Sequence, residues 1–208
     1  MKNLAFIGAG SHSDAVLPMI DLLEYKFVGY FDDKDITERE GYPILGKIND
    51  VIRALDEKII DCVLITIGEN EKRKEIFDII AERHYDKLIN VVSRGAIVLT
   101  PESIKGRGIF LGHGSFIGAK VELNDNCIVN TNAAVEHHTI VGRHCNISPG
   151  ATINGYCTLG EGNYIGSKSV IIQLLNIPDW TTIGAGGVVV KSLPESGTYV
   201  GVPVKKIK

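Results

Sequence analysis

Two adjacent histidines, His137 and His138, follow Glu136 and are the residues best suited to proton transfer in this chain. A neutral imidazole has an unperturbed pKa of about 6.5, so it can act as a general base at neutral pH. The same residues are equally compatible with a pair of solvated surface histidines. Residue type alone leaves both interpretations open.

A glycine turn near the N-terminus is the second chemical candidate. Residues 8–13 (GAGSHS) follow a short apolar run, and a strand–turn–helix loop of this kind lets backbone N–H groups meet a phosphate. The dinucleotide fingerprint has a third glycine where this chain has Ser13, and Asp32 and Asp33 stand where a ribose hydroxyl could be bound. By itself, the motif allows a non-nicotinamide nucleotide, a nicotinamide cofactor or a structural turn.

Metal ligation and thiol chemistry find less support. A zinc hydratase would need three converging histidines, and no spacing among the six histidines favours this, so we predict no metal. The four cysteines form no CxxC pair, and three of them occupy a slot that small residues fill elsewhere. We predict that they fill narrow core space. The three cysteines in this slot are Cys127, Cys145 and Cys157, and the fourth cysteine is Cys62.

Composition excludes several other classes of function. The 208 residues are 44% hydrophobic and 23% charged, with a formal net charge of −3. Nucleic-acid binding usually needs a basic patch, and a membrane span needs about 18 consecutive apolar residues; neither pattern occurs. The N-terminus reads as a buried strand and a turn rather than a signal peptide. We therefore expect a cytoplasmic protein.

The elements that must position the histidines come from a six-residue repeat. Every sixth residue is aliphatic for fourteen steps, a period that predicts a parallel β-helix. The series is Leu111, Ile117, Leu123, Val129, Val135, Val141, Ile147, Ile153, Leu159, Ile165, Ile171, Ile177, Ile183 and Val189.

Three hexads make one triangular coil, so residues eighteen apart should lie one above another. On that spacing Gly155 lies one coil from His137, and its backbone N–H and the imidazole could face one substrate carbonyl, as acyl transfer requires. Glycine or asparagine often follows the repeat aliphatic, as at Gly112 and Asn130. We predict that these residues adopt the left-handed backbone of the corners.

The first ninety residues instead alternate between strand and helix patterns, which predicts a parallel sheet with βαβ units. Predicted strands are Asn3–Ile7, Phe27–Phe31, Asp61–Gly68 and Lys87–Val92, and predicted helices are Ala15–Leu23, Ile48–Leu55 and Glu71–Arg83. We expect domains at 1–92 and 93–190, followed by a tail at 191–208.

Large apolar residues crowd the repeat at 171–175 (IIQLL), where glycine and small residues are usual. They predict either an outer face buried against another copy of the chain or ordinary variation in core packing. Because a parallel β-helix also exposes flat sheets, we expect a homo-oligomer, most simply a trimer.

Together these features resemble the NeuD/PglD-type sugar acyltransferases over residues 3–206. The segments that carry the resemblance are the glycine turn, Phe31–Asp33, 130–137 (NTNAAVEH), 148–151 (SPGA), 183–186 (IGAG) and 201–203 (GVP). The resemblance implies a Rossmann-like N-terminal domain followed by a left-handed β-helix. It also implies a trimer that uses acetyl-CoA to acetylate sialic acid or a nucleotide-linked amino sugar.

The family's functional residues can be carried over one by one. The resemblance implies that His137 is the base, that the Gly155 N–H binds the thioester oxygen and that Asn130 contacts the sugar. It makes the N-terminal cleft a nucleotide-sugar site rather than a nicotinamide site. The residues implied there are Gly10, His12, Asp32 and Asp33, and those implied near the coenzyme are Asn146, Gly155, Gly184, Gly186, Gly201 and Pro203.

The chain departs from the family at two positions near the base. Many relatives have an acid directly after the catalytic histidine, where this chain has His138, and Glu136 is a possible substitute. A second histidine of the relatives is Asn146 here, which can hydrogen-bond but cannot become cationic.

We therefore expect a cytoplasmic, acetyl-CoA-dependent N-acetyltransferase acting on a nucleotide-linked amino sugar. Two alternatives stay open. One is an O-acetyltransferase acting on a free sugar such as sialic acid. The other is a nucleotide-sugar-binding scaffold that has lost catalysis, which the changes at His138 and Asn146 motivate.

Overall fold

The computed structural model describes residues 1–208, which divide into two compact units, Met1–Val91 and Val92–Lys208. The first unit contains a five-stranded sheet in the order β3-β4-β2-β1-β5. Its strands are β1 (Lys2–Ile7), β2 (Tyr25–Phe31), β3 (Glu38–Arg39), β4 (Tyr42–Gly46) and β5 (Cys62–Ile65). All neighbouring pairs are parallel except β3 and β4, so the predicted parallel sheet is confirmed.

Three α-helices belong to this unit: α1 (Ser11–Val16), α2 (Val51–Asp56) and α3 (Asn70–His84). Short 3₁₀ turns at Leu17–Met19, Ile48–Asp50 and Tyr85–Lys87 adjoin them. The core joins apolar side chains of the sheet, such as Ile7 and Val63, to those of the helices, such as Phe77.

Two predicted elements of this unit are wrong in extent. The helix expected over Ala15–Leu23 instead begins at Ser11 and gives way to a 3₁₀ turn at Leu17–Met19. Pro18 lies in that turn, where its missing N–H and its ring oppose continued α-helix. The strand expected over Lys87–Val92 is reduced to Val91–Val92, and Leu88 makes only a single bridge to Val63.

The second unit is a parallel β-helix. Its repeat strands are two residues long and stack into sheets of eight, six and four strands, in register at a spacing of eighteen residues. Val129, for example, pairs with Leu111 on one side and Ile147 on the other. The predicted coil of three hexads is therefore confirmed.

Successive repeat strands along the chain belong to the three sheets in rotation. The eight-stranded sheet contains β6 (Val91–Val92), β8 (Phe110–Leu111), β11 (Ile128–Val129), β14 (Asn146–Ile147), β17 (Tyr164–Ile165), β20 (Thr182–Ile183), β22 (Thr198–Val200) and β23 (Lys205–Lys206). The six-stranded sheet contains β7 (Ile97–Val98), β9 (Phe116–Ile117), β12 (Ala134–Val135), β15 (Thr152–Ile153), β18 (Val170–Ile171) and β21 (Val188–Val189). The four-stranded sheet contains β10 (Glu122–Leu123), β13 (Ile140–Val141), β16 (Thr158–Leu159) and β19 (Asn176–Ile177), and a 3₁₀ turn covers Pro101–Ser103.

All fourteen repeat aliphatics lie in one core, and none is more than 3% exposed. The cysteines at 127, 145 and 157 line the same core, as predicted, and their Sγ atoms lie near carbonyl oxygens fifteen residues later. Burial raises the pKa of the Cys157 thiol, which disfavours the reactive thiolate.

The left-handed corner residues are not where the sequence predicted. Positive φ values of 53° to 69° recur at every sixth residue from Gly114 to Gly186, three positions after the repeat aliphatics from Leu111 to Ile183 rather than one. The residue directly after the aliphatic is often glycine because neighbouring coils approach closely there. A Cβ on Gly112 would lie 2.8 Å from the backbone nitrogen of Thr131.

The apolar outer face predicted at 171–175 is smaller than the sequence pattern indicated. Ile171 and Leu175 are buried in the β-helix core of their own chain, and Ile172 packs against that core. Only Leu174, which is 69% exposed, presents a large apolar side chain to solvent. This segment therefore offers little apolar surface for a second copy.

Candidate functional site

The first unit has a cleft of about 600 Å³ at the carboxyl ends of β1, β2 and β5. It brings together all four residues predicted to contact a nucleotide. The predicted residues in its lining are Gly10, His12, Asp32 and Asp33, and further lining residues are Gly8, Ser11, Lys34, Ile48, Thr66, Ile67, Gly68 and Glu69. Ligands of open parallel sheets bind at this edge.

Thr66 and Ile48 also line the cleft, and neither was predicted to do so. Thr66 directly follows β5, which pairs with β1, so strand order was the missing signal. Its hydroxyl donates to the carbonyl of Gly8 at 2.7 Å and thereby joins two loops of the cleft.

Asp32 connects the loops of the cleft through hydrogen bonds. Its carboxylate is 7% exposed and accepts the backbone N–H of Ala9 at 2.6 Å and that of Lys34 at 2.8 Å. Asp33 is exposed and accepts the N–H of Ile48 at 3.1 Å. Of the two acids, Asp33 is the one that presents its side chain to solvent.

His12 lies in the cleft as a neutral imidazole. Burial, together with the positive charge of Arg73, lowers the pKa of His12 to about 4. At neutral pH it therefore offers a hydrogen-bond donor and an acceptor rather than a positive charge.

Arg73 is a residue of this region that the sequence analysis missed. Its side chain is fully buried, and its guanidinium donates to the carbonyls of Ile67 and Gly68 at 3.2 and 3.1 Å and to Asn70 Oδ1 at 2.9 Å. A charge-assisted contact with each carbonyl holds the loop between β5 and α3, which forms one wall of the cleft.

The second unit places His137 on a corner between the six-stranded and four-stranded sheets. This corner, which we call the histidine corner, comprises residues 136–139 and 154–157, after β12 and β15. His137 is exposed, and its ring lies against the backbone of Gly155, one coil later. A Cβ at position 155 would lie 2.6 Å from Cε1 of His137, so any larger residue would displace the imidazole.

The ring partners of His137 are His138 and Tyr156. The Nδ1 atoms of the two histidines are 3.1 Å apart, and His138 stacks on Tyr156 with ring centroids 4.5 Å apart and planes 10° from parallel. Glu136, the predicted substitute for the missing acid, donates its backbone N–H to Ile153, while the Nδ1 of His137 faces His138. Tyr156 was missed, although it lies eighteen residues after His138.

The other predicted residues of the second unit lie elsewhere on the coil. Asn130, Gly184 and Gly186 belong to the corner between the eight-stranded and six-stranded sheets, which we call the glycine corner (residues 130–133 and 184–187). Asn130 accepts the backbone N–H of Thr131 at 2.8 Å. Asn146 is 8% exposed in β14 of the eight-stranded sheet, so a single chain does not gather these residues around His137.

The C-terminal segment lies beside the glycine corner. Val200 of β22 sits where a Cβ of Gly184 would project, at 2.7 Å, and Gly201 accepts the N–H of Val188 at 3.0 Å. Pro203 follows in a cis peptide bond and is exposed. Thus Gly184, Gly201 and Pro203 lie near one end of the coil.

No three side chains of histidine, cysteine, aspartate or glutamate come together as a group that could hold a metal ion. None of the helices combines the length and apolar composition needed to cross a membrane.

Similarity to known proteins covers both units. Residues 3–80 match the PglD N-terminal domain family. The acetyltransferase domain of PglB from Neisseria gonorrhoeae FA1090 is 29% identical, with a TM-score of 0.92 and 100% of both chains covered. These similarities confirm the resemblance to the NeuD/PglD-type sugar acyltransferases.

Other similar proteins are consistent with this family. PerB from Caulobacter crescentus, solved with CoA and GDP-perosamine, is 26% identical with a TM-score of 0.86, covering 100% of this chain and 98% of that one. The UDP-3-O-acylglucosamine N-acyltransferase of Caulobacter sp. (strain K31) is 26% identical over 121 residues, 58% of this chain and 35% of that protein. The chain thus spans about a third of the length of the first curated relatives that it matches.

Proposed function

We propose that this protein is an acetyl-CoA-dependent N-acetyltransferase that acts on a nucleotide-linked amino sugar. The observation that carries the proposal is the imidazole of His137 against the backbone of Gly155, in a chain similar over its whole length to PglB and PerB. A PglB acetyltransferase domain has been solved with acetyl coenzyme A, and PerB with CoA and GDP-perosamine.

The two units divide the work in this proposal. The domain at residues 1–92 is Rossmann-like and holds the nucleotide in the cleft lined by Gly10, His12, Asp32 and Asp33. Because His12 is neutral, it supplies no positive charge to the phosphates. The backbone N–H groups of the glycine turn would bind them instead. The coil at residues 93–190 is left-handed and carries the acyl transfer, with the tail at 191–208 beside the coenzyme.

The reaction is an aminolysis of a thioester. The sugar amine attacks the carbonyl carbon, a C–N bond forms and Nε2 of His137 takes a proton from the nitrogen. The Gly155 N–H donates to the oxygen as it becomes negative. The C–S bond then breaks, and the sulfur of CoA receives the proton from His137.

The separation of the two corners supports a trimer. A coenzyme that meets His137 and Gly155 at the histidine corner, and also Gly184 and Gly186 at the glycine corner, must bridge two corners of the triangular coil. A groove between adjacent copies brings the histidine corner of one copy to the glycine corner of the next. We therefore propose a homotrimer with the active sites between its subunits.

The substitution His137→Ala tests the proposed base. We expect acetyl-CoA turnover with amino sugars linked to UDP, dTDP, GDP or CMP to fall roughly 10²- to 10⁴-fold, because a general base contributes about that much. The control is His84→Ala, which removes a histidine of α3 that pairs with Asp56 at 3.0 Å and should leave the rate unchanged. Turnover within a few-fold of the parent in His137→Ala would remove His137 from the mechanism.

Nucleotide binding separates the remaining functions. Calorimetry with UDP, dTDP, GDP and CMP should find one nucleotide that binds clearly more tightly than the rest. An enzyme acting on a free sugar such as sialic acid would bind none of them tightly. Tight binding without turnover on any amino sugar would identify a nucleotide-sugar-binding scaffold.

A further inference from the structure

Three aromatic rings form one packed cluster at the histidine corner. The ring of His137 stands nearly perpendicular to that of His138, at 87° with centroids 5.3 Å apart, and to that of Tyr156, at 84° and 5.3 Å. His138 and Tyr156 are stacked face to face. The perpendicular arrangement directs the two Nδ1 atoms at each other across 3.1 Å.

A single proton can occupy the space between those two nitrogens. If both Nδ1 atoms carried hydrogen, the hydrogens would collide, and if neither did, two lone pairs would repel. Two arrangements remain, with the proton on His137 or on His138. In a neutral imidazole the proton leaves the other ring nitrogen as an acceptor. Only a proton on Nδ1 of His137 leaves its Nε2 free to accept a proton from substrate.

We infer that His138 is a positioning residue that accepts the Nδ1–H of His137 and so holds the catalytic tautomer. The inference rests on the proposed function of His137 as the base. In this arrangement His138 carries its own proton on Nε2 and does not touch substrate. It supplies with a neutral imidazole the orientation that a carboxylate can give in histidine-based catalysis.

The backbone and the stack hold His138 in this position. Its φ is +59°, and its N–H donates to the carbonyl of Ala119 in the preceding coil at 3.0 Å. Tyr156 has the same φ one coil later, and its N–H donates to the carbonyl of His137 at 3.0 Å. The coil therefore repeats one corner geometry and brings the two aromatic side chains into parallel contact.

Substitutions of His138 distinguish the effect of its hydrogen-bond acceptor from the effect of its stacked ring. In His138→Asn the Oδ1 atom is attached as Nδ1 was and can still accept, whereas in His138→Gln the oxygen is one bond further out. In His138→Phe the stack on Tyr156 is kept without any acceptor. We expect kcat to stay within a few-fold of the parent in the Asn variant and to fall roughly tenfold or more in the Gln and Phe variants, with KM little changed. Equal kcat values in the Asn and Phe variants would contradict the inference.

The second readout is the tautomer of His137, which does not depend on turnover. Nitrogen-15 NMR of the full chain should find the proton of His137 on Nδ1 in the parent and in His138→Asn. In His138→Phe the population with the proton on Nε2 should rise. A parent protein with the proton on Nε2 would overturn the inference. An expected tautomer pattern in a protein that acetylates no sugar would instead reject the proposed function.

Discussion

At the scale of single residues, the cleft and the histidine corner use their histidines differently. His12 is half-buried, and its desolvation together with the charge of the fully buried Arg73 keeps the imidazole neutral. His137 is exposed at a corner, and its Nδ1 lies 3.1 Å from the Nδ1 of His138. Residue type is therefore a weak guide to role, because burial and the nearest charge decide whether an imidazole binds, orients or titrates.

The stability of the protein should depend on pH through His12. Its pKa is about 4 in the folded chain against the ordinary 6.5, so between these values the unfolded chain binds a proton that the folded chain does not. The full contribution, up to about 3 kcal/mol, is present above pH 6.5 and is lost as the pH falls to 4. Urea unfolding of the parent and of His12→Gln from pH 4 to 7 should give a shallower dependence for the variant. Parallel curves would be inconsistent with this assignment.

At the scale of elements, the coil depends on its buried aliphatic column. Residues that alternate with it point outward, so aliphatic residues of the same type differ widely in exposure. Ile147 is fully buried in β14, while Ile140 in β13 is 40% exposed. Most turns also use a left-handed residue, often not glycine, whose N–H donates to a carbonyl of the preceding coil.

The two isoleucines provide a matched test. We expect Ile147→Ala to lower the free energy of unfolding by about 2–5 kcal/mol, because it removes buried methyl groups and leaves a cavity that stacked coils cannot close. Ile140→Ala should cost less than about 1 kcal/mol, since much of that side chain already meets water. Denaturant unfolding measures both values. Similar losses at the two positions would mean that the column of repeat aliphatics is not the main source of the coil's stability.

At the scale of the whole molecule, the chain joins a cleft-bearing α/β unit to a coil with two separate groups of site residues. The glycine corner and the histidine corner occupy different edges of the coil. One chain therefore lacks a single surface that presents all the residues proposed for the coenzyme. The proposed trimer would supply it.

Sedimentation equilibrium tests this assembly. The expected mass is about three times the 22.6 kDa of one chain. If the coenzyme groove lies between copies, dilution below the dissociation range should abolish acetyl-CoA binding together with the trimer. A monomer that binds acetyl-CoA as tightly as the concentrated protein would contradict a site shared between copies.

Much of the fold was already determined by local pattern. The six-residue period predicted the coil, its core column and the alignment of His137 with Gly155, because a regular repeat converts sequence spacing directly into position. The apolar run of β5 likewise predicted a buried parallel strand. The predicted bounds were wrong for the helix that contains Pro18 and for the strand that contains Leu88, where the hydrophobic pattern was weaker.

Only the tertiary structure decided what surrounds each reactive group. The partial burial of His12 near Arg73, the hydrogen bond from the Ala9 amide to Asp32 and the stack of Tyr156 on His138 join residues that are 18 or more positions apart. Side-chain packing and charge at such distances depend on how strands and coils meet. The chain order therefore specified which residues could do chemistry, whereas the fold decided their tautomers, their charges and their partners.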